Sequence, residues 1–387
     1  MHDASVTPAA TAARHGNARA LAQALQASRH DTLATFAVVE QALPDLRVPQ
    51  RSDLNPPLWE LGHIGWFQEY WLARNPLRQQ GAAADPDAPR TPPRRPDADA
   101  LYDSSHVPHA TRWALPLPDA AATRAELQQQ LADTLALLHN AGEGDAALYF
   151  YRLALLHEDM HHEAALYMAQ ALGIAIDDAR WQAAALPAPP PPIELPPGRW
   201  TLGSVAGEGF AFDNELGAHA VELAGTVIDA QAVRWAEYLP FIELGAQAPP
   251  RYLRREGAVW QHWRHGRWQA LNLAEAACHL SFDEAEAWCR WAGRRLPSEA
   301  EWERAALSRP AAFRWGDVWE WTASPFQPYP GFEPHAYRDY SAPWFDGRPV
   351  LRGASFMTQP RLRHPRYRNY FPPQRNDVPA GFRSCAL

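Results

Sequence analysis

The sequence predicts an α+β protein in two parts: an N-terminal four-helix bundle and a loop-rich C-terminal domain of mixed structure. Three observations carry that reading. Four helical patterns crowd into residues 18–172, a proline run interrupts the chain at 185–198, and beyond it the apolar runs shorten among many Trp and Gly. The division gives a helical domain over 1–184, a spacer over 185–198 and a second domain over 199–387. At 387 residues, the chain is long enough for each part to bury a core.

The first pattern runs from Ala18 to Leu46, where Leu21, Leu25, Leu33, Phe36 and Val39 recur at helical spacing and Pro44 lies near the end. A second follows Pro56 and Pro57, placed where the first turn of a helix tolerates proline, and passes through LWELGHIGWFQEYWLARN to Asn75-Pro76. Residues 77–120 are rich in Pro, Ala, Asp and Arg with no sustained period, a long excursion of the kind that is either disordered or functional. Two more helical patterns occupy Ala121 to Asn140 and Ala146 to Leu172, the latter stopping at Gly173, a suitable C-cap. The run ALPAPPPPIELPPG, residues 185–198, is stiffened by proline and reads as a spacer that joins no core. The strong helical stretch of the second part, Ser281 to Ala306, reads as an amphipathic helix, a turn at Gly293, and a second helix opening at Pro297-Ser298 with Glu301 as capping partner.

Composition narrows the function. A formal net charge of −8 provides no basic field for a phosphate backbone and excludes a dedicated nucleic-acid binder. The 37 prolines, against a usual share of about 5%, belong in linkers and irregular loops. Cys278, Cys289 and Cys385 are too few to staple a chain this long, which points to a reducing compartment. The N-terminal segment lacks a basic start followed by an apolar core, and no run of 18 apolar residues occurs. The expectation is a cytoplasmic protein that acts on small molecules and does not enter a membrane.

In HEDMHHEA, His157 and His161 lie four residues apart, one turn along the same helix face, which suits two ligands on one metal. The segment also fits H-E-x-x-H, in which Glu158 would be the general base of a zinc hydrolase. His63, flanked by Trp59, Leu61, Ile64, Trp66 and Phe67, would be turned inward by a bundle and supply a third imidazole. His162, about 100° further round the helix than His161, is expected to face solvent or stand behind the ligands. Three neutral imidazoles accept Zn(II) or Fe(II), and ligand type alone does not separate the two.

The segments HLSFDEAEAWCRWAGRRLPSEAEWERAA (279–306), GDVWEWTASPF (316–326), LRGASF (351–356) and AGFRSC (380–385) strongly resemble the formylglycine-generating-enzyme-like, or C-type-lectin-like, fold. Most of these matched residues are scaffold, and that fold alone names no function. The helical half with His63 and HxxxH resembles the DinB-like domain. In this order the two resemble the ergothioneine-synthase family, non-haem iron sulfoxide synthases that join a sulfur donor to the imidazole C2 of hercynine, Nα-trimethylhistidine. The likeness covers roughly residues 18–75 and 121–387.

That resemblance implies Fe(II) held by His63, His157 and His161, with O2 as co-substrate. HAYRDYS (335–341) is similar to the family's tyrosine region, which would make Tyr337 the proton donor beside the metal and set Tyr340 in the hercynine pocket. RYRNYFPPQR (366–375) resembles the family's substrate segment, placing Asn369 and Tyr370 against the carboxylate and trimethylammonium of hercynine, with Arg368 bracing the loop. Phe371 and Met160 stand where the branch that uses γ-glutamylcysteine carries an acidic residue and a Gln. A phenyl ring pairs with no amino group, which turns the reading toward cysteine or another chalcogen donor. The segments NPPLWELGHIGWFQEYW (55–71) and HEDMHHEA look closest to the selenoneine-synthase branch, which couples a selenosugar to hercynine. Arg112, within YDSSHVPHATRWALPLPD (102–119), is the candidate for donor binding.

The expectation is therefore an oxidoreductase that uses Fe(II) and O2 to form a C–Se bond between hercynine and a selenosugar. Three alternatives stay open: a sulfoxide synthase of the ergothioneine type taking cysteine or another thiol, a zinc hydrolase built on HEDMH, and a non-catalytic lectin-like binding protein with a structural metal.

Overall fold

The computed structural model describes residues 6–245 and 247–387. Six helices make up its first half: α1 (Pro8–His15), α2 (Ala18–Ala42), α3 (Pro57–Trp71), α4 (Ala98–Tyr102), α5 (Ala120–His139) and α6 (Asp145–Leu172). Side chains start them where the sequence offers caps: Thr7 accepts from Ala10 N, Asn17 from Ala20 N and Asp119 from Ala122 N. α6 ends at Gly173, whose φ of 75° is the left-handed cap conformation. Helices α2, α3, α5 and α6 form the bundle, and α6 also packs on α1. The excursion after α3 is ordered. It forms short turns at Arg78–Ala83 and His109–Ala114 on either side of α4, and Ala98, Leu101 and Tyr102 are buried.

The second half contains β1 (Ile193–Leu195), β2 (Gly198–Leu202), β3 (His219–Leu223), β4 (Thr226–Ile228), α7 (Trp235–Glu243), β5 (Leu253–Glu256), β6 (Val259–Arg264), β7 (Arg267–Ala270), α8 (Phe282–Trp291), β8 (Arg294–Arg295), α9 (Glu299–Ser308), β9 (Trp319–Pro325), β10 (Pro349–Gly353), β11 (Asn369–Tyr370), β12 (Ala380–Gly381) and β13 (Cys385–Ala386). Among the described residues the strands form two four-stranded sheets, β1-β4-β13-β8 and β11-β10-β9-β12, with a ribbon β2-β3 and a meander β5-β6-β7. Capping boxes open α8 at Ser281/Glu284 and α9 at Ser298/Glu301.

The proline run is not the detached spacer the sequence suggested. Ile193–Leu195 pairs antiparallel with Thr226–Ile228, and Leu186, Ile193 and Leu195 are buried. Proline stiffens the segment without preventing its apolar residues from alternating into a sheet. Helices α1 and α7 escaped the sequence reading, the first being short and the second carrying Pro240 inside it.

Short strands and long loops are tied together by buried ion pairs. Arg352 binds Glu303, Arg368 binds Glu299 and Arg383 binds Glu320, so α9 and β9 present carboxylates to arginines from three later segments. The same device joins the two halves. Arg14 of α1 makes a two-pronged contact with Glu215, at 2.7 and 2.9 Å, and both side chains are buried. A close backbone approach adds to it: a Cβ on Gly266, in the β6–β7 turn, would come within 2.2 Å of the Gly173 carbonyl oxygen at the end of α6.

Removing one partner of such a pair strands a buried charge, so Arg14→Met should lower unfolding stability by about 3–5 kcal/mol. Arg14→Met combined with Glu215→Leu should recover most of that loss in denaturant titrations. A double variant as unstable as the single one would show that packing, and not the stranded carboxylate, sets the cost.

Candidate active site

His63 projects from α3, and His157 and His161 from α6. One ring nitrogen of each lies within 4.8 Å of the others. Ring centroids are 5.1 Å apart for His63–His157, 4.9 Å for His63–His161 and 4.5 Å for His157–His161. The three side chains sequence reasoning selected therefore converge. His63 Nδ1 contacts the Tyr102 carbonyl at 2.8 Å, and His161 Nδ1 contacts Glu60 at 2.5 Å. A carbonyl and a carboxylate only accept, so both Nδ1 atoms carry the proton, which leaves the lone pair of the neutral His63 ring on Nε2. Among the described residues, His157 Nδ1 is buried without a partner. Burial, followed by the neighbouring His161, pushes His63 down to about 3, and burial with both neighbours holds His157 well below the ordinary imidazole range. Both rings are neutral near pH 7, as metal ligands must be. This donor set fits a metal ion.

Aromatic rings wall the triad. Phe67 stacks on His157 at 3.5 Å and 5°, and Trp59 on His63 at 4.8 Å and 8°. Tyr337 stands with its ring 4.9 Å from Phe67 and 6.2 Å from His157. Among the described residues its hydroxyl has no hydrogen-bond partner, and burial raises its pKa well above the usual phenol value. The group next to the histidines is thus a protonated, uncommitted O–H.

Beside Met160, the residue before His161, opens a cavity of about 200 Å³ lined by Met160, Glu163, Tyr167, Trp319, Tyr340, Tyr367, Asn369, Tyr370 and Phe371, among others. Five sequence-selected residues, Met160, Tyr340, Asn369, Tyr370 and Phe371, meet there. Three of the four tyrosine hydroxyls of this lining are spent on neighbouring groups. Tyr340 Oη donates to Tyr367 Oη at 2.9 Å, Tyr367 Oη donates to Met160 Sδ at 3.3 Å, and Tyr370 Oη donates to the Tyr340 carbonyl. Tyr370 also stacks on Phe326 at 4.0 Å. The cavity is consequently offered rings more than hydroxyls. Strand pairing fixes Asn369 and Tyr370, since β11 lies on β10 through Leu351 and Val350. Arg368 braces that strand, reaching Glu299 and the carbonyls of Asn214 and Gln327.

Glu163 is a cavity residue that sequence reasoning missed. Trp319 Nε1, Ser355 Oγ and Thr358 Oγ1 all donate to its Oε1, at 2.8, 2.7 and 2.7 Å. Its Oε2 has no hydrogen-bond partner among the described residues. Burial raises its carboxyl pKa against the pull of those three donors. Met160, Glu163 and Tyr167 follow one another at spacings of three and four, so a single helix stripe feeds the cavity, and that spacing was the available signal.

Other expectations need correction. His162 faces neither solvent nor the ligands: it is 1% exposed, with Nε2 at 3.0 Å from Thr35 Oγ1 and Nδ1 at 3.2 Å from Gln359. α6 has no open face here, because the second half of the chain covers the side a bundle alone would leave wet. Glu158 is bound by Arg29 at 2.8 and 3.1 Å, both side chains buried, which leaves no free carboxylate for the base of a zinc hydrolase. Arg112 does not line the cavity; its guanidinium lies 3.6 Å from the Trp59 ring and donates to Asn55 at 3.0 Å. All three cysteines are free and buried. No helix among the described residues is long and apolar enough to cross a membrane.

Residues 181–315 and 313–386 match the family of the sulfatase-modifying factor enzyme 1-like domain. The hercynine oxygenase of Mycolicibacterium smegmatis is 31% identical over 425 residues, covering 90% of this chain and 95% of that enzyme. The hercynine oxygenase of Mycobacterium tuberculosis is also 31% identical, covering 85% of this chain and 90% of its own. The formylglycine-generating enzyme of Streptomyces coelicolor is 32% identical over a shorter stretch, 32% of this chain and 50% of that one. The first two likenesses take in far more than the sheet-rich half, and the chain belongs to the hercynine oxygenase family.

Proposed function

We propose that this protein binds Fe(II) through His63, His157 and His161 and uses O2 to join the imidazole C2 of hercynine to a chalcogen, with a selenosugar as the donor. The observation that carries the reading is the aromatic cavity with a buried carboxylate, opening beside the residue that precedes a metal ligand. When bound there, Fe(II) supplies the one-electron chemistry with O2 that neither reactant possesses. In the overall change the C2–H and chalcogen–H bonds break and the carbon–chalcogen bond forms. O2 takes four electrons, one oxygen leaving as water and the other remaining on the chalcogen.

The protein's own residues divide the remaining work. Trp319, Tyr340, Tyr367 and Tyr370 surround the trimethylammonium, which an aromatic face attracts through its quadrupole. Glu163 Oε2 faces the same cation, whose arrival favours the carboxylate that burial disfavours. Asn369 presents its amide to the hercynine carboxylate. Tyr337, uncommitted and held protonated by burial, delivers a proton beside the histidines. Phe371 and Met160 give the donor side of the cavity no charge to pair with an amino acid's ammonium group, which favours a neutral sugar over cysteine or γ-glutamylcysteine.

Mass spectrometry of Fe(II)-loaded protein given hercynine, O2 and equal amounts of selenosugar, cysteine and γ-glutamylcysteine should show a hercynyl selenosugar adduct or selenoneine derived from it. A cysteine sulfoxide adduct would move the protein to the sulfur branch, and the absence of any O2-dependent product would overturn the synthase reading. His161→Ala should lose iron and turnover together.

Tyr337→Phe should slow synthesis by about a hundredfold, the lower end of what a positioned proton donor contributes, and divert turnover toward simple oxidation of the donor. An unchanged rate and product ratio would remove Tyr337 from the reaction. Phe371→Asp should shift the preference toward amine-bearing thiols by about tenfold, a charge-assisted contact of roughly 1.5 kcal/mol, read from competing product yields.

A further inference from the structure

Two of the three histidines are held from behind, and both holds lead to one arginine. His161 Nδ1 meets Glu60 Oε2 at 2.5 Å, and Glu60 Oε1 accepts from Asn55 Nδ2 at 2.5 Å. Asn55 Oδ1 accepts from Arg112 Nη1 at 3.0 Å. The same guanidinium lies 3.6 Å from the centre of the Trp59 ring, and that indole stacks on His63. Trp59 Nε1 and His63 Nδ1 donate to the adjacent carbonyls of Leu101 and Tyr102, at the end of α4. Glu60 and His63 are both buried and sit three residues apart on α3, so one helix carries a ligand and the support of another.

We propose that Glu60 is a positioning residue of the metal centre and that Arg112, acting through Asn55 and Trp59, couples the 102–119 segment to His161 and His63. Glu60 fixes the His161 ring with Nδ1 protonated and Nε2 toward the other two histidines. A carboxylate behind a metal-bound imidazole also raises its basicity, and loss of such a partner typically weakens metal binding about 10–100-fold. Arg112 thereby changes role, from donor contact to the outer end of a clamp. Its Nη1 points into the relay, and its charge offsets that of Glu60 across the neutral amide of Asn55. The proposal rests on the three histidines being metal ligands and is indifferent to which chalcogen the enzyme uses.

The test uses the full chain, with Fe(II) affinity measured anaerobically by competition against a chromophoric chelator, and with circular dichroism of the metal-free variants as the check on folding. Glu60→Ala should weaken Fe(II) binding by about 10–100-fold. Glu60→Gln, which keeps one acceptor oxygen and nearly the same volume, should lose less and serves should the alanine variant not fold. Arg112→Ala should weaken Fe(II) binding by a smaller factor, and that factor should shrink when Glu60 is already alanine, because Arg112 acts through it in part. Folded Glu60 variants that bind Fe(II) as the parent does would overturn the proposal. So would an Arg112→Ala protein with parental Fe(II) affinity and a raised KM for the donor, which would return Arg112 to substrate binding. A parent chain that binds no Fe(II) would instead overturn the metal reading on which the proposal rests.

Discussion

Everything in this molecule answers to the fact that α6 has no solvent face over most of its length. From Leu148 to Glu163 nearly every residue is buried, including Arg152, His157, Glu158, Asp159, His162 and Glu163. A helix so enclosed must find a partner for each charge it carries, since an isolated charge in that setting costs several kcal/mol. Glu158 is met by Arg29, and Asp159 by Arg361 and Ser28. His162 is met by Thr35 and Gln359, and Glu163 by three neutral donors. His157 and His161 instead bring ring nitrogens close to those of a third imidazole, His63. The histidine cluster is what remains after the rest of the helix has been satisfied, with a ring nitrogen from each of His63, His157 and His161 within 4.8 Å of the others.

The second half of the chain solves the same problem with arginine. Its strands are short and its loops long, so backbone ladders supply little of its cohesion. Arg352, Arg368 and Arg383 run inward to carboxylates on α9 and β9. Each guanidinium also takes carbonyl oxygens that a loop would otherwise bury unpaired. The cavity wall inherits this rigidity. Tyr340, Tyr367 and Tyr370 are linked hydroxyl to hydroxyl or hydroxyl to carbonyl, and β11 is pinned between Arg368 and β10. A cage held in this way presents its rings without losing side-chain entropy when a ligand enters.

How much was legible depended on whether the signal was local. The His157–His161 pair is a four-residue spacing in one helix, and His63 stands out as a lone imidazole in an apolar stretch, so the triad could be read from periodicity. The capping boxes at Ser281 and Ser298 were equally local, although only the second was picked out. Tyr337, Tyr340, Asn369, Tyr370 and Phe371 were reached through likeness to a family, because nothing in their spacing joins residues 337 and 370 to a helix ending at 172. Glu60 was invisible as a partner of His161, 101 residues away. His162 was misread because amphipathic reasoning assigns every helix a wet side, and this helix lacks one. The proline run was misread for a related reason: its composition describes stiffness, whereas its strand is decided by Thr226–Ile228, a separate segment.

The long-range ties also set the order in which the molecule can be made. Arg14 leaves the ribosome 201 residues before its partner Glu215, and the Phe210 carbonyl that also takes its guanidinium emerges little sooner. Asp159 waits 202 residues for Arg361. During synthesis the bundle can gather its apolar faces and pair Glu158 with Arg29, yet Asp159 has no arginine until the final thirty or so residues appear. The helical half is therefore born unfinished, and the side of α6 that carries Asp159 is closed only once translation is nearly complete.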